Sequence, residues 1–289
     1  MTETIKKLFF VSRPVSWLNT AYPFLVGYVL SGGTNWALIV IATLYFLIPY
    51  NILMYGINDV FDYESDIRNP RKGGIEGMKE QRSFHPTIIK AAVITNIPFL
   101  IAMYALGTGV SALVLTGVVF FVIAYSVAKL RFKEIPVLDS ITSSLHFVGP
   151  LLFALSLTGW TAQAWPYVVA FFLWGIASHA FGAVQDIIPD RKGKLSSIAT
   201  FFGAKWTIRL AFALYFIAAL ITVFHPLPFA IIGVIGLAYA FNIRGYIYIT
   251  DKDSPKTNEA WKRFIWINLF VGFIITMTIF LYNFTSIWK

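Results

Sequence analysis

Long apolar stretches, separated by short polar connections, make up most of the chain. A transmembrane helix needs about 20 mostly apolar residues, and nine stretches read as helices of that kind. Their approximate bounds are 14–31, 36–57, 86–106, 109–129, 137–158, 164–186, 206–223, 226–248 and 263–284. The pattern predicts an all-α fold, a polytopic transmembrane helical bundle with nine membrane helices that forms one membrane domain over residues 1–289.

Charged residues occur only at alternate connections between these helices. The connections 32–35, 107–108, 159–163 and 224–225 contain no Asp, Glu, Lys or Arg. All 14 carboxylates, and every Lys and Arg except Lys289, lie at the other connections or near the helix ends beside them. Because Lys and Arg concentrate in cytoplasmic loops, we expect a multi-pass protein of the cell membrane with a cytoplasmic N terminus and an external C terminus.

The composition agrees with a lipid-covered surface. Hydrophobic residues make up 57% of the chain and charged residues 13%, whereas a soluble domain carries about 25% charged residues. The net charge of +9 is explained by basic cytoplasmic loops, so membrane lipid is the expected partner and nucleic acid is not. The absence of cysteine excludes disulfides and thiolate metal sites.

A weak internal repeat relates two parts of the chain. The second predicted helix runs into the acidic segment 58–66, and the sixth runs into 185–190; basic residues and a glycine follow each segment. The spacing indicates two pseudo-repeated halves, about 14–129 and 137–248, followed by the ninth helix at about 263–284.

The first acidic segment places several oxygen ligands on one side of a helix. Asn58, Asp62 and Asp66 are spaced four residues apart, and Asp59 lies three residues before Asp62. Residues at this spacing share a helix face. Like charges at i, i+4 repel each other, and the repulsion grows where the dielectric constant is low. A divalent cation would remove this repulsion.

The second acidic segment repeats the spacing with Asp186 and Asp190. Neither segment contains His or Cys, and hard oxygen ligands with few carboxylates favour Mg²⁺ completed by phosphate oxygens and water. One DxxxD sequence on a loop is weak evidence, because any membrane protein has charged loops. Two such segments, each directly after an apolar helix and each followed by cations, favour a site for Mg²⁺-diphosphate.

Cations that could pair with phosphate oxygens follow both segments. They are Arg68, Arg71, Lys72, Arg191, Lys192 and Lys194. Tyr125 and Lys129, four residues apart at the end of the fourth predicted helix, and Arg13 before the first are expected on the same face. His146 and His179 lie inside predicted spans, where a hydrogen bond to a neighbouring helix is the more common role; they remain candidates for proton acceptance.

These motifs resemble those of the UbiA-type membrane prenyltransferases. The segment Asn58-Asp59-x-x-Asp62-x-x-x-Asp66 resembles the first Asp-rich signature of the family, and Asp186-x-x-x-Asp190 resembles the second. The segment Tyr125-x-x-x-Lys129 resembles the YxxxK element between them. The resemblance covers essentially the whole chain and implies an Mg²⁺-dependent prenyltransferase with nine helices and both motifs on the cytoplasmic side.

The resemblance also implies roles for individual residues. Asn58, Asp62 and Asp66 would hold one Mg²⁺, Asp186 and Asp190 would hold a second, and the four carboxylates would be catalytic. Asn58 and Asp59 would also contact substrate. Lys129, Arg71 and Lys72 would grip the diphosphate, with help from Tyr125 and Arg13. The order at 69–74, Asn-Pro-Arg-Lys-Gly-Gly, departs from the basic-Pro pair that often follows the first motif in this family.

Three stretches, at 12–24, 49–74 and 182–200, are similar to the bacterial lycopene elongases, a group within this family that makes C50 carotenoids. The similarity implies dimethylallyl diphosphate as the donor and lycopene, or its mono-prenylated product, as the acceptor. An allylic cation would be attacked by the terminal double bond of lycopene. The resulting cation would then be quenched by water or by loss of a proton.

Other functions are open at this point. The chain could be a UbiA-type enzyme that prenylates an aromatic quinone precursor. A secondary transporter is less favoured, because transporters place ionisable groups near the bilayer midplane, whereas these carboxylates lie at one interface. Phosphatidyl transfer from a CDP-alcohol also uses Asp-rich motifs, but its DGxxAR element is absent.

Overall fold

The computed structural model describes residues 2–67, 73, 79–225 and 229–284. Within these ranges the chain forms α-helices and short 3₁₀ turns, with no β-strand. The α-helices are α1 (Glu3–Val11), α2 (Trp17–Leu30), α3 (Trp36–Leu47), α4 (Pro49–Phe61), α5 (Tyr63–Asp66), α6 (His85–Leu106), α7 (Gly109–Ser126), α8 (Leu138–Thr158), α9 (Trp165–Val184), α10 (Ile187–Lys192), α11 (Ile198–Val223), α12 (Ala230–Ile243) and α13 (Asn258–Phe284).

Seven helical segments in the described part of the chain are long and apolar enough to cross a membrane. One of them, Trp36–Phe61, comprises α3 and α4 together. The predicted first and eighth spans correspond to α2 and α12, which have only 14 residues each. The all-helical membrane fold is therefore as predicted, and the count of nine membrane helices stays a prediction.

The chain divides into two compact units. The first comprises residues 1–133 and 145–162, and the second comprises 134–144 and 163–289, so α8 contributes to both. In the first unit, α4 packs against α6 and α7, and α2 packs against α3. In the second unit, α11 packs between α9 and α12, and α12 packs against α13. The predicted halves, 14–129 and 137–248, stay a prediction.

The predicted helix 36–57 is broken between α3 and α4. Pro49 begins α4, and Ile48 departs from helical geometry with a φ of −120° at ψ −63°. Proline lacks an N–H, and lipid cannot satisfy the carbonyls that a break exposes. The side-chain amide of Asn51 donates to the carbonyls of Phe46 and Leu47, at 2.8 and 3.0 Å, and so makes the break tolerable in a membrane.

Each unit has its own aromatic-rich core. In the first unit the core includes Phe24, Phe46 and Phe153, all fully buried. In the second unit Tyr215 stacks on Tyr239, with ring centres 5.4 Å apart. Aromatic packing of this kind buries large apolar areas.

Candidate functional site

The first acidic segment follows α4 without losing its helical hydrogen bonding. Asp62 interrupts the helix at φ −99° and ψ −1°, between α4 and α5. Its backbone N–H still donates to the carbonyl of Asn58, and that of Asp66 donates to the carbonyl of Asp62, both at 2.9 Å. These i to i−4 bonds show that the helix continues past its predicted end at residue 57, with Asn58, Asp62 and Asp66 one turn apart. Asp66 is buried and Asp62 is half-buried.

Two cations from the connection between α7 and α8 contact this segment. Lys133 forms an ion pair and hydrogen bond with Oδ1 of Asp62, and its Nζ lies 3.4 Å from Oδ1 of Asn58. The guanidinium of Arg131 lies 3.6 Å from the same Asp62 oxygen. Ser126 donates to Oδ1 of Asn58 at 3.0 Å. The amide and carboxylate oxygens of the motif therefore face a positively charged loop.

Neither Lys133 nor Arg131 is among the residues predicted for the site from the sequence. Both lie just beyond the YxxxK element in a short connection rich in cations, and this was the signal that could have identified them. The conformation of the connection brings them back toward α4. Lys129 and Arg131 have left-handed backbones, at φ 77° and 39°, and a 3₁₀ turn follows over Phe132–Glu134.

The prediction that the fourth helix extends to residue 129 is wrong. Helix α7 ends at Ser126, so Tyr125 and Lys129 do not lie one above the other on a helix. Lys129 is exposed. The ring of Tyr125 packs edge-on against His146, with centroids 5.0 Å apart. The proposed contact of Lys129 and Tyr125 with diphosphate stays a prediction.

Arg13 is bound to α4 through Asp59. Its guanidinium donates to Oδ1 of Asp59 at 2.7 Å and lies 4.2 Å from the ring centre of Tyr55. Arg13 itself has a left-handed backbone at φ 49° and precedes Pro14. Asp59, one of the candidate substrate contacts, is 3% exposed at its side chain and is thus committed to an internal ion pair in this state.

The expected diphosphate contacts Arg71 and Lys72, and the neighbouring Arg68, lie outside the described residues. Their roles stay predictions that rest on the family resemblance.

The second acidic segment, in the other unit, repeats the local architecture of the first. Helix α9 ends at Val184, and the short helix α10 begins directly after Asp186. The backbone N–H of Asp190 donates to the carbonyl of Asp186 at 2.9 Å, so the pair is one helical turn apart, and both residues are half-buried. An acidic pair at a helix break, continued by a short helix, therefore occurs twice along the chain.

The cations after the second segment have different surroundings from one another. Arg191 pairs with Oδ2 of Asp251 at 2.7 Å and donates to the carbonyl of Thr200 at 3.0 Å. Lys192 and Lys194 are exposed. Arg191 therefore stabilises the connection from α10 to α11. From the sequence it was predicted only as a cation that could pair with phosphate.

Both membrane histidines contact neighbouring helices. Nε2 of His146 lies 3.4 Å from the carbonyl of Phe121, and Nδ1 of His179 lies 2.9 Å from Oγ of Ser140. Asp139, which precedes Ser140, is fully buried and accepts a hydrogen bond from the N–H of Ile198 at 2.7 Å. This buried carboxylate was not singled out from the sequence.

The oxygen donors of the two segments suit magnesium. Among the described residues, no three His, Cys, Asp or Glu side chains converge as a metal cluster. Mg²⁺ does not need such a cluster, because it is usually bound by one or two carboxylates together with substrate phosphates and water. Asn58 and Asp62 offer an amide and a carboxylate oxygen close enough to share Lys133, which is a suitable donor set for one such ion.

Comparison with known proteins identifies relatives along nearly the whole chain. Residues 20–274 match the UbiA prenyltransferase family. The chain is 50% identical over 279 residues to the lycopene elongase/hydratase of Corynebacterium glutamicum, covering 96% of this chain and 97% of that protein. It is 47% identical over 276 residues to the C(50) beta-cyclic carotenoids biosynthesis protein LbtBC of Dietzia sp., covering 94% of this chain and 64% of that protein.

The fold is also found among solved structures. A UbiA homolog from Archaeoglobus fulgidus, bound to DMAPP and Mg²⁺, superposes with a TM-score of 0.70 at 20% identity. The superposition covers 92% of this chain and 98% of that one. At this identity the similarity establishes the shared fold.

Proposed function

The chain belongs to the UbiA prenyltransferase family, and we propose on that premise that it moves a dimethylallyl group from its diphosphate to the end of lycopene. The observation that carries this proposal is the 50% identity to a lycopene elongase/hydratase across 96% of this chain and 97% of that one. The 47% identity to a protein of C(50) carotenoid biosynthesis supports the same acceptor. The product would be a longer carotenoid, with a hydroxyl group at its end where water quenches the cation.

The donor and the metal are supported by the solved homolog, which is bound to DMAPP and Mg²⁺. In this chain the first ion would be held by Asn58, Asp62 and Asp66, and the second by Asp186 and Asp190. Bound Mg²⁺ would stabilise the negative charge that develops on the departing diphosphate.

Other residues would bind and orient the substrate. Lys129, Arg71, Lys72, Tyr125 and Arg13 are proposed diphosphate contacts on the family resemblance, and Asn58 and Asp59 are further candidates. The chain buries aromatic residues in both units, and its membrane-length helices are apolar. A dry, aromatic surrounding protects an allylic cation from water and attracts its positive charge.

The arrangement in the membrane follows from the charges. We place the N terminus and both acidic segments at the cytoplasmic face and the C terminus outside, with nine crossings, because Lys and Arg mark cytoplasmic connections. A water-soluble diphosphate would then enter from the cytoplasm, and a lipid-soluble acceptor would enter from the bilayer.

Expression in a lycopene-producing bacterium tests the function directly. The wild-type chain should convert lycopene into pigments extended by one or two C5 units, with or without added water, as resolved by mass spectrometry. Asp62→Ala and Asp190→Ala should abolish this conversion, because each removes a metal ligand, while the amount of protein in the membrane fraction stays unchanged. Conversion at the wild-type rate in both variants would refute the metal assignment.

If the strain that expresses the wild-type chain contains only unextended lycopene, the assignment of lycopene as the acceptor is contradicted. Purified membranes incubated with labelled dimethylallyl diphosphate and either lycopene or an aromatic quinone precursor then decide between the two acceptor classes. Accumulation of an unmodified substrate in vesicles would instead indicate transport.

A further inference from the structure

Lys133 occupies the oxygen atoms assigned above to the first metal ion. Its Nζ is hydrogen-bonded to Oδ1 of Asp62 and lies 3.4 Å from Oδ1 of Asn58. Only 10% of the Lys133 side chain and 13% of the Asp62 side chain are exposed. A charge-assisted hydrogen bond in such a place is stronger than one at an open surface.

An ammonium group and a magnesium ion compete for these oxygens. Both are cations that need the same lone pairs, and at close range they repel each other. Removing the lysine alone would leave the carboxylates of Asp62 and Asp66 one helical turn apart without its charge, and that arrangement is unfavourable. In addition to the charge of Arg131, the site therefore needs either the lysine or the metal ion.

We propose that Lys133 is a tethered cation that holds the first metal site in the substrate-free protein and passes to the diphosphate when magnesium takes its place. The inference rests on the proposed function, because it requires a Mg²⁺-diphosphate substrate. It makes Lys133 a positioning residue that couples the binding of metal to the binding of diphosphate.

The setting of Lys133 allows this exchange. The side chain has a flexible four-carbon stem that ends in a compact charge. It extends from the short 3₁₀ turn Phe132–Glu134, in a connection with left-handed residues at 129 and 131, and not from the middle of a packed helix. Arg131, 3.6 Å from Asp62, adds positive charge next to the position that a displaced ammonium would leave.

The exchange has a thermodynamic consequence. Metal alone must displace the ammonium from its ion pair with Asp62, and the loss of that ion pair weakens metal binding. Metal together with diphosphate binds well, because the phosphate oxygens accept the displaced ammonium. Coupling of this kind is reciprocal: diphosphate strengthens metal binding by the same factor by which metal strengthens diphosphate binding.

Binding measurements on the purified full chain test the proposal, with Mn²⁺ as the metal probe and inorganic pyrophosphate as the diphosphate probe. Free Mn²⁺ is read by electron paramagnetic resonance. Without pyrophosphate, Lys133→Met should bind Mn²⁺ roughly tenfold more tightly than the wild type. In the presence of Mn²⁺, it should bind pyrophosphate roughly tenfold more weakly. Each factor is the one expected for a single charge-assisted hydrogen bond. Lys133→Arg should keep most of the pyrophosphate affinity.

The control is Lys6→Met, which removes an exposed lysine of α1 and should leave both affinities unchanged. A purely structural role for Lys133 would weaken both affinities together or neither, and either result overturns the proposal. If Lys133→Met does not fold, Lys133→Gln gives the same comparison. Failure of the wild-type protein to bind Mn²⁺ and pyrophosphate would refute the proposed function and this inference with it, whereas wild-type binding with an unchanged variant refutes the inference alone.

Discussion

Arg13 donates to Oδ1 of Asp59 across 2.7 Å, and this pair connects the start of the first long apolar segment to α4, three residues before the proposed metal ligand Asp62. The side chains are 14% and 3% exposed. Tyr55, one turn before Asp59, lies under the guanidinium at 4.2 Å. The pair thus holds α4 in place close to Asn58 and Asp62, which contact Lys133 of the following loop.

Removing Arg13 should destabilise the protein through the charge that it leaves behind. Arg13→Met is expected to lower the free energy of unfolding by about 3 kcal/mol, because Asp59 stays buried without its guanidinium. The double variant Arg13→Met with Asp59→Asn should recover more than half of that loss. Thermal unfolding in detergent gives the measurement, and strictly additive effects of the two substitutions would show that the ion pair is not coupled.

Asn51 should be required for the broken helix between α3 and α4. Asn51→Leu removes the amide that donates to the carbonyls of Phe46 and Leu47, and we expect a loss of about 2 kcal/mol, since a buried polar group then lacks its partner. Thr95→Val is the matched control, because its hydroxyl donates to the carbonyl of Ala91 one turn earlier in the same helix. Equal melting temperatures for both variants would contradict this role of Asn51.

Gly203 should tolerate no side chain. It interrupts α11 at φ 76° and ψ 165°, and a Cβ there would lie 3.0 Å from Oδ1 of Asp251. Gly203→Ala should therefore cost about 1–3 kcal/mol. Gly272→Ala, in α13 where a Cβ meets nothing within 4 Å, should be neutral or stabilise by up to about 1 kcal/mol. The prediction fails if the two melting temperatures shift alike.

Much of the fold could be predicted from the sequence because lipid imposes length and apolarity on each helix. The spacing of Asn58, Asp62 and Asp66 puts them on one face if their segment is helical, and the structure shows that the helix continues through it, beyond the predicted end at 57. The break at Ile48 could not be predicted reliably, since Pro49 also fits a continuous kinked helix, and the capping by Asn51 depends on tertiary contacts.

The cations of the site were harder to assign than its carboxylates. The carboxylates of the two motifs lie at helical spacings that are visible in the sequence. Lys129 and Lys133 lie instead in a connection that contains left-handed residues, so their positions do not follow from helical spacing. As a result Lys129, which the helical pattern favoured, is exposed, and Lys133 contacts Asp62. Loop conformation, not helical spacing, decides which cation reaches the motif.

Arg191, in the second unit, is another cation whose partner is decided by tertiary structure and not by its position in the sequence motif. The sequence makes it a candidate for pairing with phosphate, but the structure pairs it with Asp251, whose other oxygen accepts the N–H of Ala204 at 2.6 Å. Asp251 thereby caps the part of α11 that begins after Gly203, and Arg191 orients the cap.

Arg191→Gln should therefore change pyrophosphate affinity, measured with Mn²⁺, by no more than about twofold. Its effect on stability should be small, about 0.5 kcal/mol, because both partners are exposed to solvent that screens the pair. Asp251→Ala should cost more, about 1 kcal/mol, since it removes the capping oxygen itself. A loss of pyrophosphate affinity of tenfold or more in Arg191→Gln would instead assign this arginine to the diphosphate, and would mean that its pairing with Asp251 is exchanged when substrate binds.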